Sequence, residues 1–291
     1  MTKKKIRFIV NPVSGLGKQN SLEKLVKEFI DVNLFEYEII CTERAGHATV
    51  LASEAVKRNY DIVAVAGGDG SVNEVAKALL NSGATLAIIP AGSGNGVARH
   101  LDIPINIPKA ISVINRLNFK TIDTAYINDR PFVMLSGCGF DAHIASKFAK
   151  YGKRGFLSYV KLVLKEFRVF KSHNYNITID GNSFCKKAFM ITVANCSQFG
   201  NNAIIAPFAK ADDQILNITL LKEFPAFAMP GLAMHLFNKT IHLSKYIETF
   251  QAKNITIQQT ADFAQMDGEV ITTGKNIEIK INPLSLKVLV P

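Results

Sequence analysis

Gly67-Gly68-Asp69-Gly70-Ser71 is the stretch that decides the fold. It follows the apolar run Ile62-Val63-Ala64-Val65-Ala66 and leads into Val72-Asn73-Glu74-Val75-Ala76-Lys77-Ala78-Leu79-Leu80, which has helical periodicity. Strand, glycine-rich turn and helix in that order place an acid at the carboxyl end of a buried strand, where open α/β sheets bind their ligands. The glycines allow a phosphate close to the backbone, and the helix N-terminus offers N–H groups to an anion. A carboxylate such as Asp69 repels phosphate unless a divalent cation or the phosphate's own reactive end lies between them. The stretch therefore predicts a nucleotide site with a metal.

Working outward, Ile6-Arg7-Phe8-Ile9-Val10 reads as a strand that stops at Asn11-Pro12-Val13-Ser14-Gly15. Leu16-Gly17-Lys18 imitates a Walker loop. The spacing fails, because Val10 stands where the first glycine belongs and Gln19 replaces the magnesium-binding hydroxyl. A helical face over residues 21–30 precedes the strand Tyr37-Glu38-Ile39-Ile40-Cys41, which ends at Thr42-Glu43-Arg44-Ala45-Gly46-His47. Downstream, the strand at 85–89 ends in Pro90-Ala91-Gly92-Ser93-Gly94-Asn95-Gly96. Four strands, each closing in a polar or glycine-rich turn and separated by helices, predict a mainly parallel, doubly wound sheet with all four turns on one edge. The dinucleotide fingerprint is excluded: the first turn is rich in Asn and Pro, and the acid lies inside the glycine motif.

After Ile103 the pattern changes. Prolines 104 and 108 break the chain, a helix is expected near 109–116, and strands then dominate. Strands at 119–127 and 131–135 read as a hairpin around Asn128-Asp129, and those at 175–179 and 183–193 flank Asp180-Gly181-Asn182. Further strands at 215–221, 246–250, 254–257, 276–281 and 286–290 complete an antiparallel, sandwich-like second domain. The expected division is 1–122 and 123–291. Two helical excursions interrupt the strands. The first, about 141–170, carries Lys150, Lys153, Arg154 and Lys161 among aromatic and apolar residues, a composition suited to an anionic membrane interface. The second, 224–243, is apolar and broken by Pro225 and Pro230.

The chain has 291 residues, 48% hydrophobic and 20% charged, with 34 basic against 24 acidic residues for a net charge of +10. A basic balance suggests an anionic partner. No nucleic-acid module is present, so binding of that kind would be non-specific. Lys3-Lys4-Lys5 runs straight into a strand without the apolar core of a signal peptide. No run reaches the roughly 18 apolar residues of a spanning helix. The four cysteines have no CxxC spacing and read as reduced thiols. A cytoplasmic protein, held peripherally at the inner face of a membrane, is the expectation.

With these motifs assembled, the chain resembles the lipid kinases built on the diacylglycerol kinase catalytic domain, sphingosine kinases included. The matching pieces are the 11–15 turn, Thr42 with Gly46-His47-Ala48, the 67–71 turn with Asn73-Glu74, and Pro90-Ala91-Gly92-Ser93-Gly94-Asn95. Gly137-Cys138-Gly139-Phe140-Asp141, Ala206-Pro207 with Asp212-Asp213, and Asp267-Gly268-Glu269 follow in the family's order. The resemblance implies an α/β nucleotide domain, a β-sandwich domain and an active site in the cleft between them. It implies transfer of the ATP γ-phosphoryl group to a lipid hydroxyl, diacylglycerol-like or sphingoid-base-like. Asn11, Pro12, Ser14, Gly15, Thr42, Gly67, Gly68, Gly70, Ser71, Asn73, Glu74, Gly92, Ser93 and Asn95 would form the nucleotide site. Asp69 would serve phosphate-bound Mg2+, and Asp267 would be the general base. A structural metal would sit on Asp213 and the carbonyls of Lys210 and Ile215, although Gln214 stands where the family has glycine. A second copy of the chain is a further candidate partner. The competing readings are a soluble-substrate kinase of the NAD kinase type and a catalytically idle nucleotide- or lipid-binding regulator.

Overall fold

The computed structural model describes residues 3–14, 19–150 and 156–291. The chain forms two compact units, Met1–Ile122 with Leu284–Pro291, and Asp123–Pro283. The last eight residues thus belong with the first unit and not, as the sequence reading had it, with the second.

In the first unit, strands β1 (Lys4–Val10), β2 (Phe35–Cys41), β3 (Ile62–Gly67) and β4 (Thr85–Pro90) lie parallel in the order β2-β1-β3-β4. β3 and β4 are buried along their whole length, as strands covered on both faces must be. Helices α1 (Gln19–Phe29), α2 (His47–Lys57), α3 (Asp69–Leu79), α4 (Gly96–His100) and α5 (Ile107–Arg116) alternate with or follow them. α3 buries Val72, Val75, Ala76 and Leu79, one helical face. α5 is capped by Asn106, whose side chain accepts from the Lys109 amide at 3.1 Å, and Pro108 stands in the first turn where a missing N–H costs nothing. Phe8, Leu22 and Ile111 are among its fully buried apolar side chains.

One buried charge is built into this unit. Arg7 is wholly enclosed on β1; it pairs with Glu38 on β2, donates to the Leu51 carbonyl of α2 at 2.9 Å and lies 4.8 Å from the Tyr60 ring centroid. These contacts tie β1, β2 and α2 together.

The second unit holds β5 (Phe119–Ile127), which enters from the first, then β6 (Arg130–Phe132), β7 (Leu135–Gly139), α6 (Phe140–Ala149) and α7 (Phe156–Phe167). β8 (His173–Ile179), β9 (Asn182–Ala188), β10 (Met190–Ala194), β11 (Leu216–Leu221), α8 (Met229–Phe237), β12 (Ile247–Ala252), β13 (Asn254–Gln258), β14 (Phe263–Met266), β15 (Glu269–Thr272) and β16 (Asn276–Leu289) follow. One antiparallel sheet runs β12-β11-β10-β7-β14-β15. In the other, β9, β8, β13 and the start of β16 pair antiparallel in that order. Ile177, Ile255 and Ile277 from one sheet meet Ile191, Ile218 and Met266 from the other in a common core. β16 continues past Pro283, and Val288 closes beside Leu86 of β4.

Three sequence expectations change here. The strand expected at 131–135 is divided: Phe132 pairs with β5, whereas Leu135 opens β7 in the other sheet. The strand expected at 183–193 likewise changes sheet between Ala188 and Met190. An apolar run reads the same in either sheet, so the corner leaves no mark in the pattern. The excursion at 141–170 is two helices, not one. No helix among the described residues is long and apolar enough to cross a membrane.

Candidate active site

The strand ends of the first unit gather the predicted turns. Asn11 follows β1, and its amide donates to the Ala66 carbonyl of β3 at 3.0 Å. Its side-chain nitrogen donates to Ser71 Oγ at 3.0 Å, its Oδ1 accepts from the Val13 amide at 3.1 Å, and its carbonyl accepts from Ser14 Oγ at 2.6 Å. The 11–14 turn and the start of α3 are therefore one assembly. Thr42, after β2, donates its amide to the Val10 carbonyl at 2.8 Å. Pro12 and Ser93 are exposed at this edge, and Gly15 lies outside the described residues.

The two glycine turns touch directly. A Cβ on Gly68 would come 3.2 Å from Gly92 Cα, and one on Gly92 would collide with Gly68 Cα. Only paired glycines let these backbones pass. Gly67 is equally constrained, since a Cβ there would lie 2.6 Å from Ser71 Cβ. Asn95 holds the second turn closed: its Oδ1 accepts from the Gly92 amide at 2.9 Å and its Nδ2 donates to the Gly92 carbonyl at 2.8 Å. It adopts the left-handed conformation at φ 51°, which asparagine tolerates. Gly70 and Ser71 lie in the first turn of α3, where backbone N–H groups have no acceptor within the helix. This is a donor set suited to phosphate.

Two acids of the motif are engaged by the protein itself. Asp69 Oδ1 accepts from the Val97 amide of α4 at 3.2 Å. Burial raises its carboxyl from the usual range, while the amides of residues 95–97 oppose the rise. Glu74 accepts from the amides of Gly46 at 2.9 Å and Ala48 at 3.1 Å, so it clips the start of α2 onto α3. Asn73 beside it is buried.

Asp267 belongs to the second unit, in the turn between β14 and β15. It is 6% exposed and left-handed at φ 49°, followed by Gly268 at φ 84°. Its Oδ2 accepts from the Val133 amide at 3.0 Å, and its Oδ1 accepts from those of Met134 and Leu135, both at 2.9 Å. These three amides belong to the segment that crosses from β6 to β7. Such donors stabilise a carboxylate's charge and fix its orientation. Beneath it, Gln265 Oε1 accepts from the Gly268 amide at 3.0 Å, and Gln265 Nε2 donates to Asp141 Oδ2 at 3.4 Å. Burial pushes the Asp141 carboxyl up to about 7, against the opposing amide of Ala142. Gly137 makes room for it, since a Cβ there would collide with Asp141 Oδ2. The sequence showed Asp267 and the 137–141 motif; it held no sign that Gln265 joins them.

Asp213 lies in the loop before β11. Its Oδ1 accepts from the Ile215 amide at 3.1 Å, and Gln214 takes the left-handed conformation at φ 61° that a glycine would adopt. The turn thus survives the substitution noted in the sequence. The Gln214 amide donates to Asp123 Oδ2 at 2.6 Å. Burial and the nearby Asp123 charge raise the Asp213 carboxyl, with Lys210 opposing. Asp123 is an acid that sequence reading missed, because it comes from β5, 90 positions away from Asp213 in the chain. No group of three or more His, Cys, Asp or Glu side chains gathers among the described residues. Lys150 and Lys161 are exposed on the second unit; Lys153 and Arg154 lie outside the described residues.

Residues 5–127 match the diacylglycerol kinase catalytic domain, and residues 135–290 match the YegS C-terminal NAD kinase beta sandwich-like domain. The chain belongs to this two-domain kinase family. A Synechocystis protein is 31% identical over 98% of this chain and 70% of its own length. A Staphylococcus saprophyticus protein named diacylglycerol kinase is 27% identical over 92% of this chain and 89% of its own. A solved Bacillus anthracis structure described as a candidate diacylglycerol kinase is 27% identical; the match covers 100% of this chain and 98% of that one with a TM-score of 0.79. The protein is accordingly a kinase with the α/β-plus-sandwich fold that its sequence predicts.

Proposed function

We propose that this kinase transfers the γ-phosphoryl group of ATP to the hydroxyl of a membrane lipid, diacylglycerol-like or sphingoid-base-like. The observation that carries the reading is the interlocked pair of glycine turns, 67–71 and 92–95, braced by Asn11 and Asn95. Relatives named diacylglycerol kinase support the acceptor class.

In the proposed reaction the turn amides and the α3 N-terminus bind and orient the phosphates. The lipid hydroxyl oxygen bonds to the γ-phosphorus as the bond to the β-phosphate oxygen breaks, and ADP leaves. Asp267 orients the alcohol and takes its proton. A carboxylate suffices, because phosphoryl transfer proceeds through a loose transition state and the proton moves late. Asp267 and Asp69 thereby take different roles. Asp69 is committed to the α4 amides, so it would serve a phosphate-bound Mg2+ through water; such an ion neutralises charge on the phosphates. The Asp123 charge disfavours that of Asp213, which a hard cation held with the carbonyls of Lys210 and Ile215 would relieve. The exposed Lys150 and Lys161, with Lys153 and Arg154, would assist attachment to an anionic membrane.

The second reading is phosphorylation of NAD, favoured by the kinship of the sandwich domain with NAD kinases. Incubation with labelled ATP and either NAD or dispersed diacylglycerol separates the two. Label in the organic phase supports the lipid reading, and label confined to the nucleotide rejects it.

A further inference from the structure

The apolar excursion at 224–243 buries Leu232 and Ile241 but leaves a row of apolar side chains exposed. In α8 only Leu232 is buried. Phe227, in the preceding 3-10 turn, is 84% exposed, and Met234 and Phe237 are 60% and 47% exposed. With exposed Pro230 they fall at spacings of three, four and three, which is one side of a helix. An ordinary surface helix turns that side inward. Leu243, in the next 3-10 turn, and Phe208, whose ring lies 4.6 Å from His242, extend the exposed apolar set.

The charge along the excursion is basic. Residues 224–246 contain no acid, and Lys239 and Lys245 are exposed at their far end. The two glutamates that flank the segment are neutralised: Glu223 pairs with Lys187 at 2.6 Å, and Glu248 with Lys222 at 2.7 Å and Lys186 at 3.1 Å. That leaves five lysines against two glutamates around the stripe. The excursion also meets the basic one. Phe224 lies 5.1 Å, centroid to centroid, from Phe167 at the end of α7, and 6.0 Å from Tyr246. On α7 and just beyond it, Leu164 and Val169 are exposed too.

We propose that the Phe227–Met234–Phe237 stripe inserts into the surface of an anionic lipid bilayer, with Lys239 and Lys245 on the headgroups. An exposed apolar patch edged by cations has the make-up of an interfacial anchor. The proposal deepens the lipid kinase reading, since a bilayer-resident acceptor has to be reached at the bilayer. It assigns the deepest contact to α8, with the lysines of 147–171 adding electrostatic attraction alone.

The chain has no tryptophan, so a single indole reports on one place. The Phe227→Trp variant keeps an aromatic ring at an exposed position. Its emission should shift to the blue on phosphatidylglycerol-containing vesicles and be quenched by brominated acyl chains, with little change on pure phosphatidylcholine. In the wild-type background, Phe227→Ser with Met234→Ser should weaken vesicle binding about tenfold. Lys239→Glu with Lys245→Glu should weaken it roughly tenfold at low salt and less at high salt. Both double variants should keep their melting temperature and their turnover of a short-chain, monomerically dispersed acceptor. An indole that stays water-like on bound vesicles overturns the proposal. So does an indole already shifted without lipid in a protein that sediments as a dimer, which would assign the stripe to a second copy. Absence of turnover on every lipid in the wild type, with the indole shift intact, would instead remove the lipid kinase reading and leave the surface assignment standing.

Discussion

At the residue scale, Asp267 holds three backbone amides and is the proposed base, and a mutation has to separate the two. Its three amide bonds anchor residues 133–135, so Asp267→Asn places an NH2 group against a backbone N–H and costs about 1–3 kcal/mol of stability. As the base it should also lose more than about 100-fold in turnover, with ATP affinity retained in calorimetry. Near-normal turnover in a folded variant would remove the base assignment. Gly92→Ala tests the turn contact differently: its Cβ collides with the Gly68 backbone, so ATP affinity should fall with a lower melting temperature. Asp141 yields a pH prediction. Its raised carboxyl binds more protons folded than unfolded, so its contribution to stability falls as pH rises from the unfolded value toward about 7. Asp141→Asn removes that slope. Its stability relative to wild type should improve by roughly 2–3 kcal/mol between pH 5 and pH 8, measured by urea unfolding.

At the element scale, the glycine and asparagine turns were legible because phosphate chemistry demands particular residues after particular strands. The strands of the first unit were legible because a parallel sheet needs continuous apolar runs. The corners at Val133 and Phe189 were not, since both sheets of a sandwich ask for the same apolar residues. The role of Glu74 was hidden for another reason. Its partners, Gly46 and Ala48, use backbone amides that a sequence does not distinguish. The buried Arg7 belongs to this scale as well. Arg7→Ala leaves Glu38 and the Leu51 carbonyl without their partner and should lower stability by about 3–5 kcal/mol, whereas Arg7→Met, which fills the space, should cost less. Equal losses in chemical denaturation would show that packing, not the charge, holds β1, β2 and α2 together.

At the scale of the whole molecule, the parts proposed to carry the reaction come from distant stretches: four strand-end turns in the first hundred residues, and Asp267 far downstream. The order of these motifs was visible in the sequence and pointed to the family that the comparison shows. The exposed stripe of the 224–243 excursion was not visible, because an apolar run in a sequence looks alike whether it lies inside or outside; exposure of Phe227 distinguishes the two. The central claim is phosphoryl transfer to a lipid hydroxyl. Its most direct test incubates the purified protein with γ-labelled ATP, NAD and a total lipid extract, and identifies labelled species by mass spectrometry. The account predicts a phosphorylated lipid in the organic phase that disappears with Asp267→Asn. No lipid product, alongside phosphorylated NAD in the aqueous phase, would contradict it.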